Sequence, residues 1–283
     1  MSNTNSYCIS TTILVIILNM KKLTEASKSS TSAPRIRPVP AVSRAVAILR
    51  FLGKMRTPLG VNAIAQALGL VPSTCLHILR ALAEEKLISF DPITKHYRLG
   101  AGMLSLARSA MESNAFPLLA QPALDRLSTK WGVTAIGVDV SDPEQMIVVA
   151  LSRSSMPFRL HVDVGSVFPA LLSATGRLVA AFGGQSQTDI KKRFSTLRWD
   201  KPVKYEDWNK EVVFAKKNHF SLDRNTYIAG VSIAAVPVLS PTGKISHTIV
   251  CASLMDALNK TEIQKLIKEM QLEARIVTDQ VFV

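Results

Sequence analysis

The sequence predicts an α+β protein in two parts, a small helical part that ends in a hairpin and a larger part built around an antiparallel sheet. Helical spacing of apolar residues dominates up to residue 84, whereas runs typical of strands, joined by turn residues, dominate after residue 132. Residues 1–112 hold 14 Lys/Arg against 5 Asp/Glu, which is +9 of the total net charge of +13. Such asymmetry is typical of a nucleic-acid-binding part joined to a nearly neutral one, although general solubility would also explain it.

The first 40 residues lie outside both predicted parts. Residues 9–18 are apolar, but this run is shorter than the ~20 residues that span a bilayer, and no cation precedes it as in a secretory signal. We interpret residues 1–19 as an extension upstream of the true start at Met20, with a membrane anchor or a core strand as alternatives. Residues 21–40 are rich in Ser, Pro and basic residues and predict a flexible arm, either a solvated tail or a minor-groove contact.

Residues 42–84 predict three helices. The first covers residues 42–51, with Ser43 as its cap and Val46, Leu49 and Leu52 facing inward. The other two form a pair joined by a tight turn. Asn62 is the predicted cap of the second helix, and Gly69 can adopt the left-handed conformation that ends it.

The third helix presents a polar face. Four of its residues recur on the side opposite the apolar one: Ser73, His77, Arg80 and Glu84. A helix-turn-helix places its second helix in the major groove, with hydroxyls such as those of Ser73 and Thr74 near phosphates. The alternative is an ordinary helical hairpin whose polar face is merely solvated.

A predicted β-hairpin follows this helix pair. Residues 86–90 and 96–99 have the composition of strands, and the segment between them carries the turn signal Asp-Pro. Three helices and this wing make a complete winged helix-turn-helix domain over residues 41–100. Lys95, His96 and Arg98 would give the wing a basic edge suited to a phosphate backbone or a minor groove.

Residues 101–113 predict a linker helix with an apolar stripe along one side. The stripe consists of Met103, Leu104, Ala107 and Met111. Because an isolated connecting helix would expose this stripe to water, we expect it to pair with a second copy in a dimer.

Residues 114–283 predict the larger α+β domain. Its strands are predicted at residues 133–140, 145–151, 158–162, 230–239 and 245–254. Its later helices are predicted at residues 170–182, 207–218 and 261–280, the last capped by Thr261. Because hairpin turns join several of the strands, we expect an antiparallel sheet.

The sequence gives little sign of catalysis or of a cofactor. Cys8, Cys75 and Cys251 are too few and too far apart for a disulfide framework or a zinc site, which indicates a reducing, cytoplasmic setting. The five histidines form no ligand pair, and no nucleophile elbow or phosphate-binding loop is present. We therefore predict no enzyme, no metal and no cofactor.

The order VSRAVAIL, AIAQALGLVPSTCLHILRAL and YRLG resembles the N-terminal domain of IclR-type bacterial transcriptional regulators. The resemblance continues in VGSVFPALLSATGRLVAAF, HFSLD and AGVSIAAVPV, and covers about residues 41–283. It implies a cytoplasmic repressor or activator with a GAF-like effector-binding domain. Such a protein would bind a near-palindromic operator of a catabolic operon as a dimer or a dimer of dimers, without a membrane partner.

On the DNA side, the resemblance and the predicted elements select seven residues: Arg44, Ser73, Thr74, His77, Arg80, Lys95 and Arg98. Pro72 and His77 stand where the family often carries a basic residue and an arginine, so the base preference of relatives does not carry over. The alternative from another class is a small-molecule sensor or enzyme whose winged domain serves protein contacts. Sequence-independent, salt-labile DNA binding would favour that alternative.

The resemblance also implies an effector site, where relatives often bind a small carboxylate or an aromatic acid. The corresponding residues are Ser173, Ala174, Thr175, Gly176, Asp223, Ile233, Val250 and Ala252. Free amides at the helix start could hold an anion, with Arg177 adding charge and Asp223 accepting from a hydroxyl or a water. A close-packed helix start is the alternative.

Two departures from the family pattern bear on this site. Ile233, Val250 and Ala252 are apolar where relatives can carry Cys or Ser, which favours an aromatic acid over a two- or three-carbon acid. Thr226 stands where many relatives carry Glu, so the geometry of that wall is not carried over.

Overall fold

The computed structural model describes residues 39–55, 57–112, 114–153 and 162–282, and the chain divides into two compact units at Ala110 and Met111. The predicted N-terminal extension and arm lie outside the described residues, as does most of the strand predicted at residues 158–162. Each unit is described separately below.

The first unit contains a helix-turn-helix and a small antiparallel sheet of order β1-β3-β2. Its elements are α1 (Pro40–Lys54), β1 (Leu59–Gly60), α2 (Val61–Leu68), α3 (Pro72–Glu84), β2 (Ile88–Asp91) and β3 (His96–Leu99). Helix α4 (Gly102–Glu112) then carries the chain into the second unit. We call β2, β3 and the turn between them the wing.

The turn between α2 and α3 follows the prediction. Gly69 adopts the left-handed conformation with φ 64° and ψ 34°, and the two helices are bent by 113° relative to each other. Glycine carries no Cβ and adopts this conformation without strain, which ends α2. Of the described helices, none is long and apolar enough to cross a membrane alone; α2 and α3 reach that composition only as this bent pair.

Two predicted caps of the first unit are wrong. Helix α1 begins at Pro40, whose fixed φ suits a first helical position, so Ser43 lies inside the helix. Helix α2 is preceded by Gly60, and Asn62 is its second residue. The second difference is caused by β1, a two-residue strand that pairs with β3 and ends at Gly60, so that α2 begins directly after it at Val61.

The core of the first unit joins all three helices to the wing. Val46, predicted to face inward, is exposed, because α1 instead buries Ile48, Phe51 and Leu52. In α3 the buried residues are Cys75, Leu79 and Leu82, which lie on the side opposite the predicted polar face. This packing fixes which side of α3 faces solvent.

The second unit is a six-stranded antiparallel sheet of order β6-β5-β4-β9-β8-β7. Its strands are β4 (Thr134–Asp139), β5 (Gln145–Ser152), β6 (Val167–Pro169), β7 (Ser221–Arg224), β8 (Val231–Leu239) and β9 (Ile245–Leu254). Its helices are α5 (Phe116–Trp131), α6 (Ser173–Phe182), α7 (Gln187–Phe194), α8 (Tyr205–Asn218) and α9 (Lys260–Val281).

Helices cover both faces of this sheet. One core lies between the sheet and α5 and α9, and the other lies between the sheet and α6, α7 and α8. The predicted α+β fold with an antiparallel sheet is therefore confirmed. The predicted cap Thr261 is wrong, because Asn259 caps α9 through a capping box with Glu262.

Candidate functional site

The polar face of α3 is open to solvent. Ser73, His77 and Arg80 are exposed and Thr74 is half-buried, because the core packing of α3 turns the opposite side inward. The other predicted DNA-binding residues, Arg44 on α1 and Lys95 and Arg98 on the wing, are exposed as well. Hydroxyl, imidazole and guanidinium groups of α3 are therefore accessible to a partner, as are the cations of α1 and the wing.

The turn of the wing is held by Asp91. Its Oδ1 accepts from the backbone N–H of Ile93 (2.9 Å) and of Thr94 (3.3 Å), and its Oδ2 accepts from Thr94 Oγ1 (2.8 Å). These hydrogen bonds, that from Ile93 first, lower the pKa of Asp91 below its usual value. Lys95 then takes a left-handed conformation with φ 58°, and its Nζ lies 6.0 Å from the centroid of the Phe90 ring.

In the second unit, the strands bring the predicted effector residues together. Asp223 pairs with Ile233 across β7 and β8, and Ile233 pairs with Ala252 across β8 and β9, so the three form one cross-strand row. Val250 belongs to the neighbouring row on the same face. Helix α6 packs over these three strands, so the start of α6 and the row belong to the same core.

The first turn of α6 is tightly constrained. Ser173 has φ 57°, and a Cβ added to Gly176 would lie 1.9 Å from the carbonyl carbon of Leu171. The first intrahelical bond runs from the N–H of Gly176 to Leu172, so the N–H groups of Ser173, Ala174 and Thr175 precede it. Ser173 Oγ is buried and has no hydrogen-bond partner among the described residues.

Asp223 and Arg177 are already engaged with each other. Both side chains are almost completely buried, and Arg177 Nη1 donates to Asp223 Oδ2 (3.3 Å) while its Nε donates to Glu211. Asp223 Oδ1 also accepts from the N–H groups of Thr226 (3.1 Å) and Tyr227 (3.2 Å). The charge of Arg177 is therefore offset by two carboxylates, and an anion at the helix start would depend mainly on amides.

A further polar residue of this face was not among the predicted site residues. Ser221 is buried two positions before Asp223 on β7, and its Oγ lacks a partner among the described residues. The period-two pattern of a strand was the signal that could have found it.

The described residues form neither a metal site nor a reactive thiol. No group of three His, Cys, Asp or Glu side chains is placed there to hold a metal ion. Cys75 and Cys251 are buried free thiols, and burial raises the pKa of both. A thiol held in the protonated form is a poor nucleophile.

A winged helix-turn-helix joined in one chain to a separate α+β unit is the arrangement of a two-domain DNA-binding regulator. The IclR helix-turn-helix domain matches residues 41–92, and the bacterial transcriptional regulator IclR C-terminal domain matches residues 110–278. The chain therefore belongs to the IclR family of bacterial transcriptional regulators, which confirms the resemblance seen in the sequence.

Individual relatives agree with this assignment. The glycerol operon regulatory protein of Streptomyces griseus is 26% identical over 71% of this chain and 80% of its own length. The crystal structure of an IclR regulator from Alicyclobacillus acidocaldarius has a TM-score of 0.74 at 22% identity, and covers 86% of this chain and 98% of its own. An IclR homolog from Microbacterium hydrocarbonoxydans, solved in complex with 4-hydroxybenzoate, has a TM-score of 0.72 at 15% identity, and covers 85% and 98%. The first two of these relatives are named as regulators.

Proposed function

We propose that this chain is a cytoplasmic, dimeric regulator whose binding to a near-palindromic operator changes when a small organic acid, most simply an aromatic acid, binds beside α6. It would use three segments, residues 41–100 for DNA, 101–113 as a linker and 114–283 for the effector. A catabolic operon is the proposed target. The observation that carries the effector half is the row Asp223–Ile233–Ala252, which shares a core with the constrained start of α6.

The DNA half of the proposal rests on the exposed face of α3. Its N-terminal residues Ser73, Thr74 and His77 would meet base edges and nearby phosphates in the major groove, because a recognition helix enters that groove with its N-terminal part. Arg44, Lys95 and Arg98 would contact phosphates from either side. In this arrangement, α3 gives sequence preference and the surrounding cations give affinity.

Gel-shift assays on the region upstream of the chain's own coding sequence test this half. His77→Ala should weaken binding to the preferred sequence by about 1–3 kcal/mol and leave mixed-sequence DNA unaffected, whereas Lys95→Ala should weaken both alike and lower the salt slope by about one unit. A His77→Ala protein that retains full preference would contradict the assignment of α3. Weak binding without any sequence preference in the parent protein would instead favour a winged domain used for protein contacts.

The aromatic-acid class follows from the chemistry of the site. Ile233, Val250 and Ala252 give it an apolar sheet wall, and the amides at the start of α6 with Ser173 Oγ supply donors for a carboxylate. Because Arg177 is paired with Asp223 and Glu211, a single carboxylate on a largely apolar body fits better than a small, strongly hydrated acid. The bound 4-hydroxybenzoate of the Microbacterium hydrocarbonoxydans homolog belongs to this class.

The choice of variant matters for testing the ligand. Asp223→Ala would leave the buried Arg177 short of one partner, and breaking a buried pair costs about 3–5 kcal/mol, so loss of binding would not be informative. Ser173→Ala removes a hydroxyl with no described partner, and alanine and serine tolerate the local φ about equally.

Thermal-shift measurements on the full chain should therefore compare benzoate and 4-hydroxybenzoate with acetate and glyoxylate. We expect stabilisation by an aromatic acid in the parent protein, a smaller shift in Ser173→Ala, and a change of preference towards the small acids in Ile233→Ser. Stabilisation that neither substitution alters would place the ligand elsewhere.

A further inference from the structure

A groove separates α3 from the wing in the first unit. Its volume is about 710 Å³. Its floor is apolar and includes the buried Tyr97, the half-buried Leu76 and the exposed Phe90, and its charged rim residues are Arg80, Glu84 and Lys95. The groove thus combines an apolar floor with a charged rim.

The geometry of duplex DNA suggests what such a groove would hold. In B-DNA each major groove is separated from the next minor groove by a single sugar–phosphate strand. A protein with α3 in the major groove and its wing over the adjacent minor groove must straddle that strand. The space between α3 and the wing is then occupied by deoxyribose and phosphate groups.

We propose that this groove binds one sugar–phosphate strand of the operator, with deoxyribose faces against Phe90, Tyr97 and Leu76 and phosphates beside Arg80 and Lys95. The inference rests on the proposed function, since it requires α3 to lie in the major groove. It assigns Arg80 to the backbone rather than to a base, in line with its place in the second half of α3.

The wing is built to hold Lys95 at this rim. The rings of Phe90 and Tyr97 pack with centroids 4.8 Å apart, and Lys95 Nζ lies 6.0 Å from the Phe90 centroid. The backbone N–H of Lys95 donates to the carbonyl of Asp91 (2.9 Å), within the turn fixed by the Asp91 carboxylate. Phe90 therefore serves both as part of the floor and as a positioning residue for the ammonium group.

Glu84 has the wrong charge for this occupant. It lies one helical turn beyond Arg80, at the rim, and neither side chain forms an ion pair with another residue in the described part of the chain. A carboxylate there repels every phosphate strand irrespective of sequence. Glu84 would thus reduce the affinity for all DNA, so that contacts at base edges decide where the protein remains bound.

The neighbouring Glu85 provides a matched control. Both glutamates are exposed near the C-terminal end of α3, but only Glu84 lines the groove. Glu84→Gln should raise the affinity for a mixed-sequence duplex about two- to fivefold at low salt, an effect that salt reduces, whereas Glu85→Gln should change it by less than half as much. Equal effects of the two substitutions would mean that general charge, not a strand in the groove, is responsible, and would overturn the inference.

Hydroxyl-radical footprinting tests the floor, because the reagent cleaves at accessible deoxyribose. The parent protein should protect a short run of sugars between its major- and minor-groove contacts, and Phe90→Ala should restore cleavage in that run. Leu99→Ala is the control, since Leu99 also lies on the wing sheet and is similarly exposed, 36% against 40% for Phe90, but lies outside the groove. Thermal melts of both variants establish that they are folded.

The results separate this inference from the proposed function. If His77→Ala abolishes sequence preference but Phe90→Ala leaves the protected run unchanged, α3 reads the operator and the groove is not a strand site. If His77→Ala has no effect, the placement of α3 fails and the groove assignment fails with it.

Discussion

Asp223 forms a buried ion pair with Arg177, which lies in a distant part of the sequence. The segment HFSLD contains this acidic residue, but it does not indicate the partners of its carboxylate. Arg177 lies 46 positions before Asp223, and Glu211, which also pairs with Arg177, lies 34 positions after Arg177. Such pairs depend on the packing of α6 and α8 against β7, which no local pattern encodes. The pairing of Asp223 with Arg177 therefore follows from tertiary packing and not from the residues next to Asp223 in the sequence.

A second residue, His247, should make the stability of the folded chain depend on pH. Its ring stacks on Phe116 with centroids 4.0 Å apart, and its Nε2 lies 3.3 Å from Asn114 Nδ2 and 3.7 Å from Asp139 Oδ2. Asn114 Oδ1 accepts from the N–H of Phe116, so Nδ2 faces the ring as a donor and the neutral imidazole accepts. Burial lowers the pKa of His247 below 6.5, and Asp139 only partly opposes this.

The unfolded chain therefore binds a proton at this imidazole more readily than the folded chain does. As a result, the contribution of His247 to the free energy of unfolding is fully present above pH 6.5 and is lost as the pH falls through the folded-state pKa. His247→Gln should therefore make the free energy of unfolding less dependent on pH between neutral and acidic pH. Urea unfolding at neutral and acidic pH measures it, with His77→Gln, exposed on α3, as the control. An unchanged pH profile in His247→Gln would show that the pKa of this imidazole is the same in the folded and unfolded states, contrary to the prediction.

At the scale of elements, the start of α6 depends on one glycine. A Cβ at Gly176 would lie 1.9 Å from the carbonyl carbon of Leu171 and 2.6 Å from its Cα, distances that the backbone cannot accommodate without moving. Gly176→Ala should therefore destabilise the second unit by about 4 kcal/mol or more. Gly184→Ala is the control, because Gly184 has φ 73° but open space around it, and should cost only about 1–2 kcal/mol.

Tryptophan fluorescence during denaturation follows the second unit specifically, since Trp131, Trp199 and Trp208 all lie in it. A Gly176→Ala protein that unfolds at the same denaturant concentration as Gly184→Ala would contradict the close approach to Leu171. In that case the first turn of α6 can move away from Leu171 without loss of stability.

Elements with an apolar pattern or a turn signal of their own were predictable, including the four-residue strands of the wing, whereas elements without one were not. Strands β8 and β9 and their turn were located within one residue, because each carries its own continuous apolar pattern. β1 and β6 have two and three residues and are strands only through pairing with β3 and β5. Helix α7 was missed because its buried face consists of only Ile190 and Phe194.

At the scale of the whole molecule, the net charge differs between the N-terminal and the C-terminal part of the sequence. The basic excess of the sequence lies mainly before residue 113, in the part that carries α3 and the wing, and the second part is nearly neutral. Apolar side chains, by contrast, are exposed on α4 at the end of the first unit: Leu104 is 73% exposed and Ala107, one turn further, is exposed as well. We propose that this stripe pairs with its copy in a dimer.

Leu104→Glu tests the dimer against a matched change on a different helix. A charge in a two-fold contact meets its own copy, so Leu104→Glu should shift the protein towards monomer and weaken operator binding at least tenfold, because a near-palindromic site is read by two subunits. Leu118→Glu alters a similarly exposed leucine (80%) on α5 and should leave the assembly unchanged. Sedimentation measures both; a Leu104→Glu protein that remains dimeric while Leu118→Glu dissociates would place the two-fold contact on α5 instead of α4.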